Sequence, residues 1–223
     1  MRQALLTEIK ERMSLEILVG AWGWKYQSWG QDQYYPDDLP ADWRLSYYSN
    51  EFDMAVIPAS YWASADLVEE DWLDDVDDDF EFCLHWPVKE SDQALLGKIT
   101  AFIGAAGDQV SALLVDHQQW LGATPQQRQV LEELSARYAV RYFNNADAES
   151  CFVYEDEQML SSSDILLLRS DEKELLRDLT RRLQQTIKAQ KLERIILMPA
   201  NDTNEVSIAR LKELATLVNL LAI

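Results

Sequence analysis

The chain has 223 residues, 48% of them hydrophobic and 26% charged, with a formal net charge of −19. That length suits one domain of about 200–250 residues better than two, and no apolar run approaches the roughly 18 residues of a membrane span, so no membrane partner is expected. A chain this acidic is repelled by phosphate backbones and anionic lipid, which disfavours nucleic acid as a partner.

Residues 1–14 carry charges throughout and lack an apolar signal core. Leu5, Leu6, Ile9 and Met13 recur at helical spacing, which predicts a short amphipathic helix ahead of a domain spanning 15–223. Eight apolar runs read as strands: LEILV at 15–19, MAVI at 54–57, FEFCL at 80–84, SALLV at 111–115, YAVRYF at 138–143, CFVY at 151–154, DILLL at 164–168 and RIILM at 194–198. Several are continuously apolar, the pattern of parallel strands covered on both faces. Between them lie helical patterns. Pro40 to Asn50 opens on a helix-starting proline. Pro125 to Tyr138 places Val130, Leu131 and Leu134 on one face. Leu175, Leu179, Leu183 and Ile187 form a stripe, and Ile208, Leu211, Ala215 and Val218 form the last one.

Strands alternating with helices predict an α/β fold of TIM-like (β/α)8 type in a single domain. The connections at 144–150 and 155–163 are too short for full helices, so the barrel is expected to be trimmed after strands 5 and 6. An apolar flank left by that trimming would favour a homodimer. Cys83 and Cys151 sit in apolar strand-like runs, which suggests a reducing cytoplasm rather than a disulfide framework.

Charge is uneven along the chain: residues 1–160 hold 30 acids and 10 bases, residues 161–223 hold 9 acids and 10 bases. The densest acidic run, EEDWLDDVDDDF at 69–80, reads as a solvated loop ahead of a cation-gathering one. The bases after residue 160, as in RRLQQTIKAQKLER at 181–194, fall on expected outer helices among acids, so a nucleic-acid groove ranks last among the functional readings.

In a barrel of this kind the ligand site is built at the C-terminal ends of the strands. GAWGWKYQSWG at 20–30 follows the first strand, so its glycines allow a bend and its rings would face or roof a pocket there. These residues carry a family resemblance. GAWGWKYQSW, then YYP at 34–36, then RLSYYSNEFDMAVIPASYW at 44–62, resembles the YecE-like family, the domain of unknown function 72. FEFCLHWP at 80–87 and SIARLKEL at 207–214 are similar to its Phe-x-Phe-x-Val-Lys-x-Pro and closing helix. The resemblance implies a TIM-barrel-like fold and no settled reaction.

The departures from the family pattern fall at strand ends. The family's strand-two glutamate and asparagine correspond to Val56 and Pro58, and its strand-three lysine to His85. Gln-Leu-Pro-Pro after strand four becomes Asp116, His117, Gln118 and Gln119. Val-Glu-x-Arg of strand five becomes Val140 to Phe143. Arg-x-His-Gly of strand seven becomes Leu167 to Ser170, and the closing Phe-Asn-Asn is reduced to MPAN with Asn201. The chain thus resembles a divergent member that kept the apolar frame and lost the polar set.

Trp22, Trp24, Tyr26, Trp29, Tyr61, Trp62 and Trp86 could line one cavity and stack on a flat ligand, or plug the barrel as core. His85, Asp116 and His117 form the one histidine-containing cluster. The first two are pocket candidates, and His85 is the candidate acid or base. His85 and His117 are candidate metal ligands on residue type, but Asp116 and His117 are neighbours on an extended stretch and point to opposite faces, so no metal site is predicted. Asn144 offers a pocket amide or, with Asn145, a turn. No Ser-His-acid order, Gly-rich phosphate loop or Cys-x-x-Cys occurs, and no cofactor is predicted. The leading expectation is a non-catalytic or catalytically altered barrel that binds a small molecule or a protein partner. The alternative is an enzyme on a small cyclic or sugar-like substrate, of hydrolase or lyase/isomerase type, with its pocket at the strand ends.

Overall fold

A computed structural model describes residues 16–63, 72–87, 93–143, 165–170, 174–189, 194–199 and 206–221. Seven strands run in chain order: β1 Glu16–Trp22, β2 Met54–Ile57, β3 Glu81–His85, β4 Val110–Asp116, β5 Ala139–Phe143, β6 Ile165–Ser170 and β7 Arg194–Pro199. They form one sheet in the order β5-β4-β3-β2-β1-β7-β6, and every pairing is parallel.

The helices are α1 Arg44–Ser49, α2 Ala59–Ala63, α3 Gln93–Ala106, α4 His117–Trp120, α5 Pro125–Ser135, α6 Leu176–Ala189 and α7 Ile208–Leu221. α5 starts where Pro125 needs no amide partner, and Thr124 and Gln127 close a reciprocal capping box. α3, which the strand-by-strand reading did not single out, buries Leu95, Leu96, Ile99, Ile103 and Ala106 at helical spacing. In α6 Leu179 and Leu183 are buried as expected, whereas Leu175 lies before the helix and is 54% exposed. The expected helix over 40–50 is shorter, because a 3-10 turn at Ala41–Trp43 precedes α1.

Alternation along the strands separates two cores. Outward residues such as Val19, Ala21, Ala55, Ile57, Leu84, Leu113 and Val115 pack with the helices in one large cluster. Leu18, Trp22, Met54, Val56, Cys83, Ala112, Leu114, Ile196 and Met198 form a second cluster composed of strand residues alone. Side chains from five strands can bury one another in this way only when the sheet curls around its own inner face, since a flat sheet would leave that face wet. Gly20 belongs to this face. A Cβ there would meet the Met54 Sδ at 2.1 Å and the Met54 carbonyl at 2.3 Å, so β1 and β2 approach as they do because residue 20 has no side chain.

The fold is therefore an α/β protein with a curled, all-parallel sheet. A full eight-strand cylinder is not formed among the described residues: β5 and β6 are edge strands there, with no pairing between them. The expected strand at 151–154, both trimmed connections, the helix at 1–14 and Cys151 lie outside the described residues. No described helix is long and apolar enough to cross a membrane.

Candidate functional site at the C-terminal rim

The strand ends gather Trp22, Val56, His85, Asp116 and Met198 at the inner face of one rim. Trp22 and His85 touch edge-to-face, with ring centroids 5.1 Å apart and planes at 62°. His85 is half-buried. Its Nδ1 accepts a hydrogen bond from the Ala59 amide at 3.3 Å, in the first turn of α2. A nitrogen that accepts from an amide N–H carries no proton, so the neutral ring holds its hydrogen on Nε2. His85 thus caps the helix that leaves the neighbouring strand, where the first amides lack intrahelical partners.

Asp116 is buried and does the same for α4. Its carboxylate accepts from the Gln119 amide at 3.1 Å and from the Gln119 Nε2 at 2.8 Å. The cap ends β4, so His117 opens a helix instead of continuing an extended stretch, and the expected opposite-face arrangement of Asp116 and His117 does not apply. The His117 side chain lies outside the described residues, as do the Trp62 side chain, Asn144 and Asn201. Among the described residues no three His, Cys, Asp or Glu side chains are grouped to hold a metal ion.

The ring-rich segment after β1 divides between the two cores. Gly23, at φ +97°, breaks the strand's alternation. Trp22 stays on the inner face, while Trp24 turns into the helix-side core, where it meets Tyr61 at 5.1 Å and Trp72 at 5.4 Å edge-to-face. Trp86 also belongs to the helix-side core, and its amide donates to the Leu114 carbonyl at 2.8 Å. Trp24 and Trp86 are fully buried, so the described rings divide between the inner face, with Trp22, and a set packed as core on the helix side. Trp29 joins that set and donates from Nε1 to the Val206 carbonyl at 2.7 Å, tying the loop to the entry of α7.

Tyrosine hydroxyls hold this segment in place. Tyr26 donates to the Trp22 carbonyl, Tyr35 donates to the Trp24 carbonyl at 2.7 Å, and Tyr61 accepts from the Trp24 and Lys25 amides at 3.3 and 2.9 Å. Below them Tyr48 accepts from the Ala21 amide and donates to the Met54 carbonyl, each at 2.9 Å, bridging β1 and β2. Burial pushes the Tyr48 phenol well above its ordinary range, with nearby tyrosines adding and the Ala21 amide opposing, so it stays neutral. Sequence reasoning treated Tyr35 and Tyr48 only as motif letters. The available signal was a tyrosine inside an apolar pattern, whose buried hydroxyl must find a partner.

At the opposite end of the strands the acidic run is anchored. Trp72 and Phe80 are buried in the helix-side core, while Asp74, Asp77, Asp78 and Asp79 are exposed.

Strands ending on one rim, helices outside and an apolar interior define an α/β barrel-like protein. A family model described as "Protein of unknown function DUF72" matches residues 18–142, more than half of the chain, and the chain belongs to that family. Its fold is similar to the crystal structure of a DUF72 family protein from Thermotoga maritima, at 13% identity and a TM-score of 0.57, covering 93% of this chain and 100% of that one. A DUF72 family protein from Enterococcus faecalis matches in two crystal structures. One gives 10% identity, a TM-score of 0.52 and coverage of 91% and 95%; the other gives 12%, 0.51, and 94% and 98%. No curated protein matches the chain.

Proposed function

We propose that this DUF72 protein is a non-catalytic or catalytically altered member that binds a small molecule or a protein partner at the C-terminal rim. The observation that carries the reading is the employment of two polar side chains among the described residues of the rim. His85 caps α2 and Asp116 caps α4, and the inner-face neighbours are Trp22, Val56, Leu114 and Met198. General acid–base work needs a group that can exchange a proton with a bound substrate. A His85 whose Nδ1 is held by an amide carries its hydrogen on Nε2, and that nitrogen is buried, so a ligand acceptor would reach it only after the ring's surroundings open. The face of Trp22 supplies apolar contact beside it.

The test is a ligand and turnover screen on the full chain with cyclic, sugar-like and phosphorylated small molecules. Binding that shifts the Trp22 and His85 ring resonances without product formation supports the reading. Turnover lost in a folded His85→Gln variant overturns it.

The edge-to-face contact of half-buried His85 with Trp22 at the strand end favours the alternative, in which a substrate stacks on the indole and His85 serves as acid or base. That alternative requires the histidine to release the Ala59 amide during turnover.

A further inference from the structure

At Gly23 the backbone takes φ +97°, and the next two amides turn toward one point. Trp24 N and Lys25 N lie 3.3 and 2.9 Å from the same atom, the Tyr61 hydroxyl oxygen. Two consecutive main-chain N–H groups converging on a single acceptor form a nest, a concavity of fixed partial positive charge suited to an oxyanion. Here the occupant is a phenol hydroxyl from the chain itself.

The surroundings are shaped to the oxygen. A Cβ on Gly23 would come within 2.9 Å of the Tyr61 hydroxyl and 3.1 Å of the Pro58 Cγ, so the bare glycine makes the space as well as the φ angle. The Trp24 ring stands edge-to-face against Tyr61 as a wall, and the Lys25 ammonium lies 6.0 Å from the Tyr61 ring centroid. The chain's overall −19 opposes anions at long range, but screening over about 8 Å at physiological salt leaves the decision to local donors.

We infer that the Trp24–Lys25 amide pair is an oxyanion-binding nest held closed by the Tyr61 hydroxyl, and that a ligand carrying a carboxylate or phosphate group opens it by displacing that hydroxyl. The inference rests on the reading of this rim as the binding end and names the ligand chemistry. Amide hydrogen bonds to an oxyanion are about twice as strong as those to a neutral acceptor, which gives the incoming group its advantage.

The experiment titrates the isotopically labelled full chain, as wild type, Tyr61→Phe and Tyr61→Leu, with inorganic phosphate and, separately, with acetate. With the hydroxyl removed, the Trp24 and Lys25 amide resonances are expected to shift saturably, with a half-saturation about tenfold below that of wild type for at least one anion. Tighter phosphate assigns the site to phosphorylated ligands; tighter acetate assigns it to carboxylates. A folded variant with no saturable shift at these two amides overturns the inference, and so does equal half-saturation in wild type and variants. Should neither variant fold, the wild type decides. A joint shift of both amides and the Tyr61 ring supports displacement, and no shift refutes it. Failure here leaves the rim reading standing, because contacts at Trp22 and His85 are read from their own ring resonances. Ligands that leave the Trp22 and His85 ring resonances unmoved would remove that reading while the two amides still respond.

Discussion

Replacing His85 separates a capping role from a chemical one. In His85→Ala the Ala59 amide loses its acceptor and Trp22 loses its edge-to-face neighbour. Losing an N-terminal cap costs about 1 kcal/mol, and the 3.3 Å length of this bond places it no higher than that. The aromatic contact contributes about 0.5–1.5 kcal/mol, so the alanine variant should lose about 2 kcal/mol in all. His85→Asn sets an amide oxygen where Nδ1 stood, on the same Cγ, and keeps the acceptor while deleting the ring. It should recover about 1 kcal/mol of that loss. Urea unfolding followed by tryptophan fluorescence reads both variants, provided the slope against denaturant is unchanged. Equal stabilities for the alanine and asparagine variants would refute the capping argument, and with it the main support for a binding rather than a catalytic rim.

Tyr48→Phe should be costly, because it strands the Ala21 amide and the Met54 carbonyl in a site with no solvent access. A loss of about 2–4 kcal/mol in urea unfolding is expected, and a loss under about 1 kcal/mol would show that the β1–β2 bridge is dispensable. Asp116→Asn retains an acceptor for the Gln119 amide and should stay within about 0.5 kcal/mol of wild type, while Asp116→Ala should lose about 1–2 kcal/mol; the reverse order in thermal unfolding would contradict the capping role. Asp53 is exposed at the surface, yet its carboxyl is raised above the ordinary 3.8, first by partial desolvation, with the Val19 amide opposing and Asp79 and Glu16 adding. A raised carboxyl favours folding while protonated, so its contribution is complete below the unfolded value and is lost as pH rises through the folded one. Wild-type stability relative to Asp53→Asn should therefore fall as pH rises from about 4 and then level off; a relative stability that grows with pH over that window would contradict the assignment.

Much of the frame was legible in the residues. β2 begins and ends where the apolar run MAVI does, and the other described strands agree with their predicted runs to within about three residues at each end. Pro125 and Leu131 placed α5 because a helix-starting proline and a single apolar face are local signals. The candidate site was less legible. His85 and Asp116 were visible as polar residues at strand ends, but their partners, the Ala59 amide 26 residues away and Gln119, depend on where α2 and α4 begin.

The family was within reach through the resemblance of the motifs at 20–62 and 80–87, and the parallel sheet through its pattern, because continuous apolar strands between helical stripes can be buried in few other ways. What the sequence could not decide was the side on which each ring falls. When both faces of a strand are apolar, alternation labels neither of them. Trp22 and Trp24, two residues apart, should share a face in a regular strand. The turn at Gly23 sends one to the barrel interior and the other beneath the helices, and that choice depends on the volume Tyr61, Trp72 and Phe82 leave for an indole. Packing of residues distant along the chain, and not local pattern, thus divides a run of tryptophans into core and candidate site.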